Sequence, residues 1–549
     1  MIWYGNIEMN KIFYPDFFND VFGPIMQPGS SSSFAGNSRV GWAASFLVRG
    51  DIKRVNISFN PGEKNQLRDL GNMMEDRAFL GGLQKFRPDD ERLFRAHELA
   101  REKKIAYEFS LLDKDTCYPE SVCFDVESIK GEKGRLIGAS TGGGMIKVFE
   151  INDFPLLWQG DSFALLVKQN EKTLPNINAF IAARGDAVLE SREIQNAAGE
   201  KAFFIELDRT GAEPGLAVFD EADYLFFPAL LPVTSFRGRK EQLFKTVDEW
   251  IAYAETKNIS FVDAAIAYEK AFSGWDEKTI WNYFENIREI LYHQIHALED
   301  RGIDTVPDTP LLPVYGKHWS RYKKSGRVLQ DPLASRIMDY AFSVNAKIPG
   351  VKIVPGPMGT GGGYLFSALE AVREARNFSK EKQLEGLVVA AGLGAIAYTL
   401  CRPTGISGCA GESGVCCAMA SGAITWMAGG TGREVENAAS MALQASIGIP
   451  CDPIPGGLEF PCLTRTVRAA ITAPLYADMA LAGIDPLIPY HQMLHVIEHT
   501  RSLYPNALCG GDCGTNCTSA AEKCRRFFSG EVMDGKLKWE PALVSGSTS

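Results

Sequence analysis

From Val354 onward the sequence fills with glycine and alanine, in "GPMGTGGG", "VVAAGLGAIAY", "AMASGAITWMAGGTG" and "AAITAPLYADMALAG". Small residues at helical spacing let helix axes approach closely. Just upstream, "LFKTVDEWIAYAETKN", "FVDAAIAYEKAF" and "TIWNYFENIREILYHQIHALEDRG" have the apolar spacing of amphipathic helices. Residues 239–530 are therefore expected to form one tightly packed all-α domain. The longest uncharged apolar run, Gly386 to Cys401, is about a turn short of a bilayer span and rich in Gly and Ala. It reads as a buried helix, and no membrane partner is expected.

A chain of 549 residues is too long for one core, and the first half changes character accordingly. "VNISFN" and "MIKVFEI" run at strand length, whereas "ERLFRAHELAREKK" has helical spacing, so residues 1–161 read as an α+β domain. In residues 162–238, "SFALLVKQ", "TLPNINAFIAARG", "AVLESREI" and "KAFFIELD" give strand, helix, strand and strand. That order is half of a small α/β, ferredoxin-like module. Residues 531–549, ending in "VSGSTS", read as a disordered tail. A formal charge of −10 excludes a broad basic surface, hence a nucleic-acid or anionic-membrane partner. Met1 is followed by mixed polar and aromatic residues rather than a signal peptide, so a cytoplasmic location is expected.

The twelve cysteines are uneven: after Cys117 and Cys123 none occurs before Cys401. Disulfide frameworks belong to small secreted chains, so thiols clustered like this suggest metal or redox chemistry. Free cysteine is also among the most buried residue types, and Cys416 and Cys417, adjacent on an expected helix, fit simple packing. Zinc sites favour paired ligands a few residues apart, which Cys509, Cys513 and Cys517 approach. Cys409, Cys451 and Cys462 differ. They stand singly on three segments, each beside Gly or Pro, in "SGCAGESGVCC" and "IPCDPIPGGLEFPC". Such placement suits a cluster buried among helix ends, with one iron of a [4Fe–4S] cube left open as a Lewis acid.

Other segments offer contacts for a small anionic molecule. In "GPIMQPGSSSSFAGNSRVG", the hydroxyls of Ser30, Ser31 and Ser32 and the guanidinium of Arg39 could wrap a carboxylate. "GTGGG" leads into a helix whose first amides, at Gly361 and Gly362, could hold an anion. Neither it nor "TGGGMIKVFE" has the spacing of a P-loop or a dinucleotide fingerprint. His318, among Lys, Arg and Tyr in "YGKHWSRYKK", is a candidate base or anion contact. His491, His495 and His499 share one helical face, which we read as packing rather than a metal stripe.

"ISGCAGESGVCCAMASGA", "VENAASMALQASIGIPCDPIPGGLEFPC", "DPLASRIMDYAFSVN" and "VPGPMGTGGG" closely resemble the α domain of iron–sulfur-dependent L-serine dehydratases (L-serine ammonia-lyases). "FGPIMQPGSSSSFAGNSRVG" and "IGASTGGGMIKVFEI" resemble the family's β domain, so the likeness spans residues 20–155 and 240–515. It implies a [4Fe–4S] cluster on Cys409, Cys451 and Cys462, and a homodimer. It also implies elimination of water from serine, giving an enamine that becomes pyruvate and ammonia. Arg465 is retained from the family's pattern and joins Ser30, Ser31, Ser32, Arg39, Gly361 and Gly362 as a substrate contact. Several polar positions depart from it. Ser33 and Phe34 replace a His-Thr pair, and Met73 replaces a histidine proposed as base, while Asp76 and Arg77 match. In the α domain Ala445 and Ser446 replace His-Asn, Thr464 replaces Glu, and Thr466 replaces Asn. The substrate or the proton-transfer machinery is therefore expected to differ. L-cysteine desulfidation, or an amino-acid sensor built on the same fold, is the alternative. Cys509, Cys513 or Cys517 could cap the open iron.

Overall fold

The computed structural model describes residues 14–71, 73–116, 118, 120–209, 215–234, 241–308, 313–357, 359–401, 403–404, 407–451, 454, 460–505 and 518–522. The tail 531–549 and Cys509, Cys513 and Cys517 lie outside the described residues. The chain divides into two compact units, one holding residues 1–28 and 238–527, the other built on residues 29–237. A β-sheet region thus precedes a large helical region, as the residue patterns indicate.

In the sheet unit, six strands lie in the order β2-β1-β3-β4-β5-β6. They are β1 (Ile52–Phe59), β2 (Ala106–Leu111), β3 (Val122–Ser128), β4 (Lys133–Gly142), β5 (Met145–Ile151) and β6 (Phe154–Trp158). The parallel β1–β2 pair, in register from Arg54 with Ala106 to Phe59 with Leu111, requires a long crossover. That crossover carries the helices Glu75–Leu83 and Ala96–Glu102, the second preceded by a 3-10 turn at Glu91–Arg95. From β3 onward the strands form an antiparallel meander. Val55, Ile57, Phe79, Phe124, Val148 and Trp158 are buried between the sheet and its helices. Each such side chain contributes about 1.5–3 kcal/mol by leaving water.

A second, wholly antiparallel sheet has the order β10-β7-β9-β8, from β7 (Phe163–Lys168), β8 (Val188–Gln195), β9 (Lys201–Leu207) and β10 (Tyr224–Phe227). The expected strand–helix–strand–strand run is present, with the helix at Thr173–Arg184 and a fourth strand added. One face of the sheet buries Leu165, Val167 and Ile205 against Ile177 and Phe180 of that helix. The other contributes Ala164, Leu166, Ala202 and Phe204 to the core around Trp158. Period-two alternation makes each strand two-faced, so the two sheets share a core across position 161.

The helical unit includes helices Val247–Lys257, Phe261–Ser273, Glu277–Asp300, Pro332–Asn345, Gly361–Arg376, Lys380–Leu400, Val415–Met427, Gly432–Gln444, Cys462–Leu481 and Tyr490–Leu503. Several starts are capped by local side chains: Ser260 and Asp263 form a capping box, and Asp331 caps a helix with Pro332 in its first turn. Close approach is real at Gly392, where an added Cβ would lie 2.2 Å from the Trp250 ring. The apolar helix Lys380–Leu400 is mostly buried inside this unit. Residues 14–28, which the patterns group with the α+β domain, pack here instead. Phe17 stacks on Tyr268 at 5.4 Å, and Met26 pairs with Ile353. Their aromatic side chains find partners about 250 positions away, beyond the reach of any local pattern.

Candidate active site

Cys409, Cys451 and Cys462 lie on three segments that hydrogen-bond to one another. Gly408 adopts φ +71, and a Cβ there would lie 2.6 Å from the Ile449 carbonyl oxygen, so a glycine lets the first two segments touch. The Ala410 amide donates to that same carbonyl at 3.3 Å. On the third segment, Arg465 Nη1 donates to the Pro450 carbonyl at 2.8 Å. The Ile454 amide donates to Phe460 at 2.7 Å, drawing together the loop between Cys451 and Cys462. Cys409 and Cys451 are buried, and Cys462, the first residue of helix Cys462–Leu481, is half-buried.

Cys409 Sγ lies 2.9 Å from Ser413 Oγ. Burial pushes its thiol above the ordinary value; Glu412 adds to the rise, while Ser413 and the Arg465 guanidinium oppose it. Cys416 and Cys417, on helix Val415–Met427, are used differently. Their thiols donate to the carbonyls of Gly361 and Ala469 at 3.3 and 3.2 Å, and burial pushes Cys417 up to about 11. These are satisfied packing thiols.

The sulfur spacing bears on what the three could hold. Two thiolates on one tetrahedral ion sit about 3.8 Å apart, given a metal–sulfur bond of about 2.3 Å. Among the described residues the three thiols do not form a donor set within 4.8 Å of one another. Three thiols on joined segments are the soft donors that an iron–sulfur cluster takes.

In the helical unit, the polar residues that depart from the family pattern bond to their own helix backbone. Ser446 Oγ donates to Ala442 O, Thr464 Oγ1 to Pro461 O and Thr466 Oγ1 to Cys462 O, at 2.9, 2.7 and 3.0 Å. Gly361 and Gly362 open helix Gly361–Arg376, and both are buried. A Cβ on Gly362 would lie 2.4 Å from Val354 O, so close packing alone requires glycine there. His318 is exposed on helix Tyr315–Lys324; the neighbouring Tyr315 meets Phe460 edge-on at 5.4 Å.

In the sheet unit, Ser30 caps a π-helical turn at Ser31–Gly36 by accepting from the Ser33 amide at 3.1 Å. Ser140 Oγ donates to Ser32 O at 2.9 Å. Buried Arg39 donates through Nη1 to the Gly144 carbonyl, in the turn between β4 and β5. The two β-like motifs are thus brought together, while Ser31, Ser32 and Ser33 stay partly exposed.

Two nearby residues, Glu75 and His97, carry no sequence signal. Glu75 is buried beside Ser33 and accepts from Gln66 Nε2 at 2.9 Å; burial lifts its carboxyl above the ordinary range, with Gln66 and Ser33 opposing. Asp76, buried, bonds His97 Nε2 at 2.8 Å, whose Nδ1 lies 2.9 Å from Tyr107 Oη. His97 stands 21 positions after Asp76 on another helix, so no spacing marked it.

A family model described as serine dehydratase alpha chain matches residues 243–514. The chain is similar to a probable L-serine dehydratase alpha chain of Bacillus subtilis (strain 168), 30% identical over 275 residues, covering 48% of this chain and 88% of that one. It is also similar to that organism's probable L-serine dehydratase beta chain, 35% identical over 153 residues, covering 28% of this chain and 68% of that one. Similarity to the L-serine dehydratase alpha chain of Peptoniphilus asaccharolyticus is 27% over 294 residues, covering 52% and 98%.

Proposed function

This chain belongs to the L-serine dehydratase family and is a hydro-lyase of the ammonia-lyase kind, and from that premise we propose that it dehydrates L-serine, or a small hydroxy or amino acid like it, with a [4Fe–4S] cluster on Cys409, Cys451 and Cys462. The observation that carries this reading is the hydrogen-bonded meeting of the three cysteine segments. When bound, a cluster with three thiolate ligands supplies an open iron, a Lewis acid for the substrate's carboxylate and leaving hydroxyl.

The chain's own residues do the rest. Arg465 fixes the Pro450 carbonyl and so the loop carrying Cys451, and its charge favours the Cys409 thiolate that iron requires. We assign the partly exposed hydroxyls of the serine turn to the substrate's polar groups, with Arg39 holding the Gly144 turn beneath them. The sheet unit also offers Glu75, a carboxyl oriented by Gln66 and lifted above its ordinary value by burial, as a group for proton exchange with the substrate. Loss of the α-proton and the β-hydroxyl from serine leaves an enamine, which hydrolyses to pyruvate and ammonia. Thiol-rich iron chemistry suits a reducing compartment, and we read the protein as cytoplasmic, homodimeric and acting on a small molecule.

Anaerobic reconstitution tests this reading. The protein should take up about four irons and four sulfides, with broad absorption near 400 nm, by the chemistry of such clusters, and release pyruvate from L-serine. Turnover of L-cysteine alone would replace dehydration by desulfidation. A chain that never holds iron would remove the proposal's basis.

A further inference from the structure

Away from the cysteine segments, three helices of the same unit bring unlike donors together. Asp248 lies in the first turn of helix Val247–Lys257, Glu436 on helix Gly432–Gln444, and His491 on helix Tyr490–Leu503. One ligand atom from each falls within 4.8 Å of the others. Arg433 bonds Glu436 Oε2 with one nitrogen and Asp248 Oδ1 with the other. That leaves Glu436 Oε1 facing His491 Nδ1 at 4.0 Å. Both atoms are buried and neither meets hydrogen-bond geometry with a partner; burial raises the Glu436 carboxyl, whose side chain is only 1% exposed, and the Tyr490 backbone amide opposes that rise.

A buried carboxylate oxygen and a ring nitrogen that face each other unpaired are unfavourable unless a cation or a proton lies between them. The third donor favours the cation. Two carboxylate oxygens and one imidazole nitrogen, with water completing the shell, suit a first-row divalent ion. Arg433 holds one oxygen of each carboxylate, as outer partners of metal ligands commonly do. Only modest contraction is needed, since oxygen and nitrogen donors about 2.0–2.2 Å from one ion sit roughly 3.5 Å apart. His495 and His499 are exposed on the same helix, so only His491 turns to this cluster.

We propose that Asp248, Glu436 and His491 bind one divalent first-row metal ion, distinct from the cysteine site, that ties these three helices together. Mn2+ is the probe of choice because it prefers oxygen and nitrogen to the chain's many thiols. Titrating the full chain anaerobically should quench the Mn2+ EPR signal at one site per chain, and saturating Mn2+ should raise the Tm. Glu436→Gln and His491→Gln should each weaken binding at least tenfold and abolish the Tm rise, while His495→Gln and Cys451→Ser leave both unchanged. Wild-type protein that binds no Mn2+, or binding that survives both substitutions, overturns the site. So does a Tm that ignores saturating Mn2+.

Discussion

The two units handle their motif residues in opposite ways. In the helical unit, backbone bonds gather the segments that carry Cys409, Cys451 and Cys462, and burial holds the Cys409 thiol in its protonated form. In the sheet unit, the polar groups of the motif bind one another: Ser30 takes the Ser33 amide, Ser140 the Ser32 carbonyl, and Arg39 the Gly144 carbonyl. The first region is a set of donors suited to a ligand that would deprotonate them. The second is a braced surface whose free chemistry is a few hydroxyls. Loss of a residue from the first should remove a cofactor, whereas loss from the second should loosen a shape.

The sharpest break would come at the cysteines. Replacing Cys409, Cys451 or Cys462 singly with Ser should abolish the stable cluster absorption and pyruvate release, because a serine alkoxide forms only at prohibitive pH and two thiolates leave the cluster open to loss. Cys416→Ser and Cys417→Ser should keep the cluster and cost about 1–3 kcal/mol of packing. Iron analysis alongside denaturant melts separates these outcomes. A Cys451→Ser protein with full iron and turnover would end the contrast between the two units.

At Arg39 the expected loss is of stability rather than iron. Arg39→Ala leaves the Gly144 carbonyl without this donor, and a broken buried bond to a charged group costs about 1.5–3 kcal/mol. Iron per folded chain should be unchanged, with KM for serine raised as the serine turn loses its support. A variant of wild-type stability whose KM alone rises would make Arg39 a direct substrate contact instead.

Where the chain was legible follows from the range of the interactions. β5 is present over the whole of "MIKVFEI", and the apolar runs of the second half became helices, because period and propensity act locally. The cysteine segments stood out for the same reason, since each is a short motif flanked by Gly or Pro. Long-range pairings left no such trace. Phe17 needs Tyr268, Asp76 needs His97 across a crossover, and Asp248, Glu436 and His491 come from three helices. Thr464 and Thr466 carry a similar lesson. Their hydroxyls are polar in the sequence, yet each turns back to a carbonyl three or four residues earlier, as helical Ser and Thr often do.

The smallest expected effect concerns Glu206, a charge-bearing residue buried in the sheet unit outside the motif. It sits on β9, 2% exposed, with Ser162 Oγ donating to Oε2 at 2.9 Å and the Ser162 carbonyl taking the Trp158 indole at 3.1 Å. Burial lifts its carboxyl from 4.5 to about 8; Asp161 adds to the rise, and Ser162 and Arg192 oppose it. The folded chain therefore keeps a proton that the unfolded chain has released. Stability from this group is fully present below about pH 4.5, the unfolded value, and is lost as pH climbs toward 8. Between pH 6 and 8 the loss should be on the order of 1–3 kcal/mol, given at most about 1.4 kcal/mol per pH unit. Glu206→Gln keeps the shape without the titration. Urea melts at a series of pH values should show the variant gaining on the wild type by that margin as pH rises. Parallel curves would mean that Glu206 titrates alike in the folded and unfolded chains, its carboxylate charged at neutral pH despite its burial.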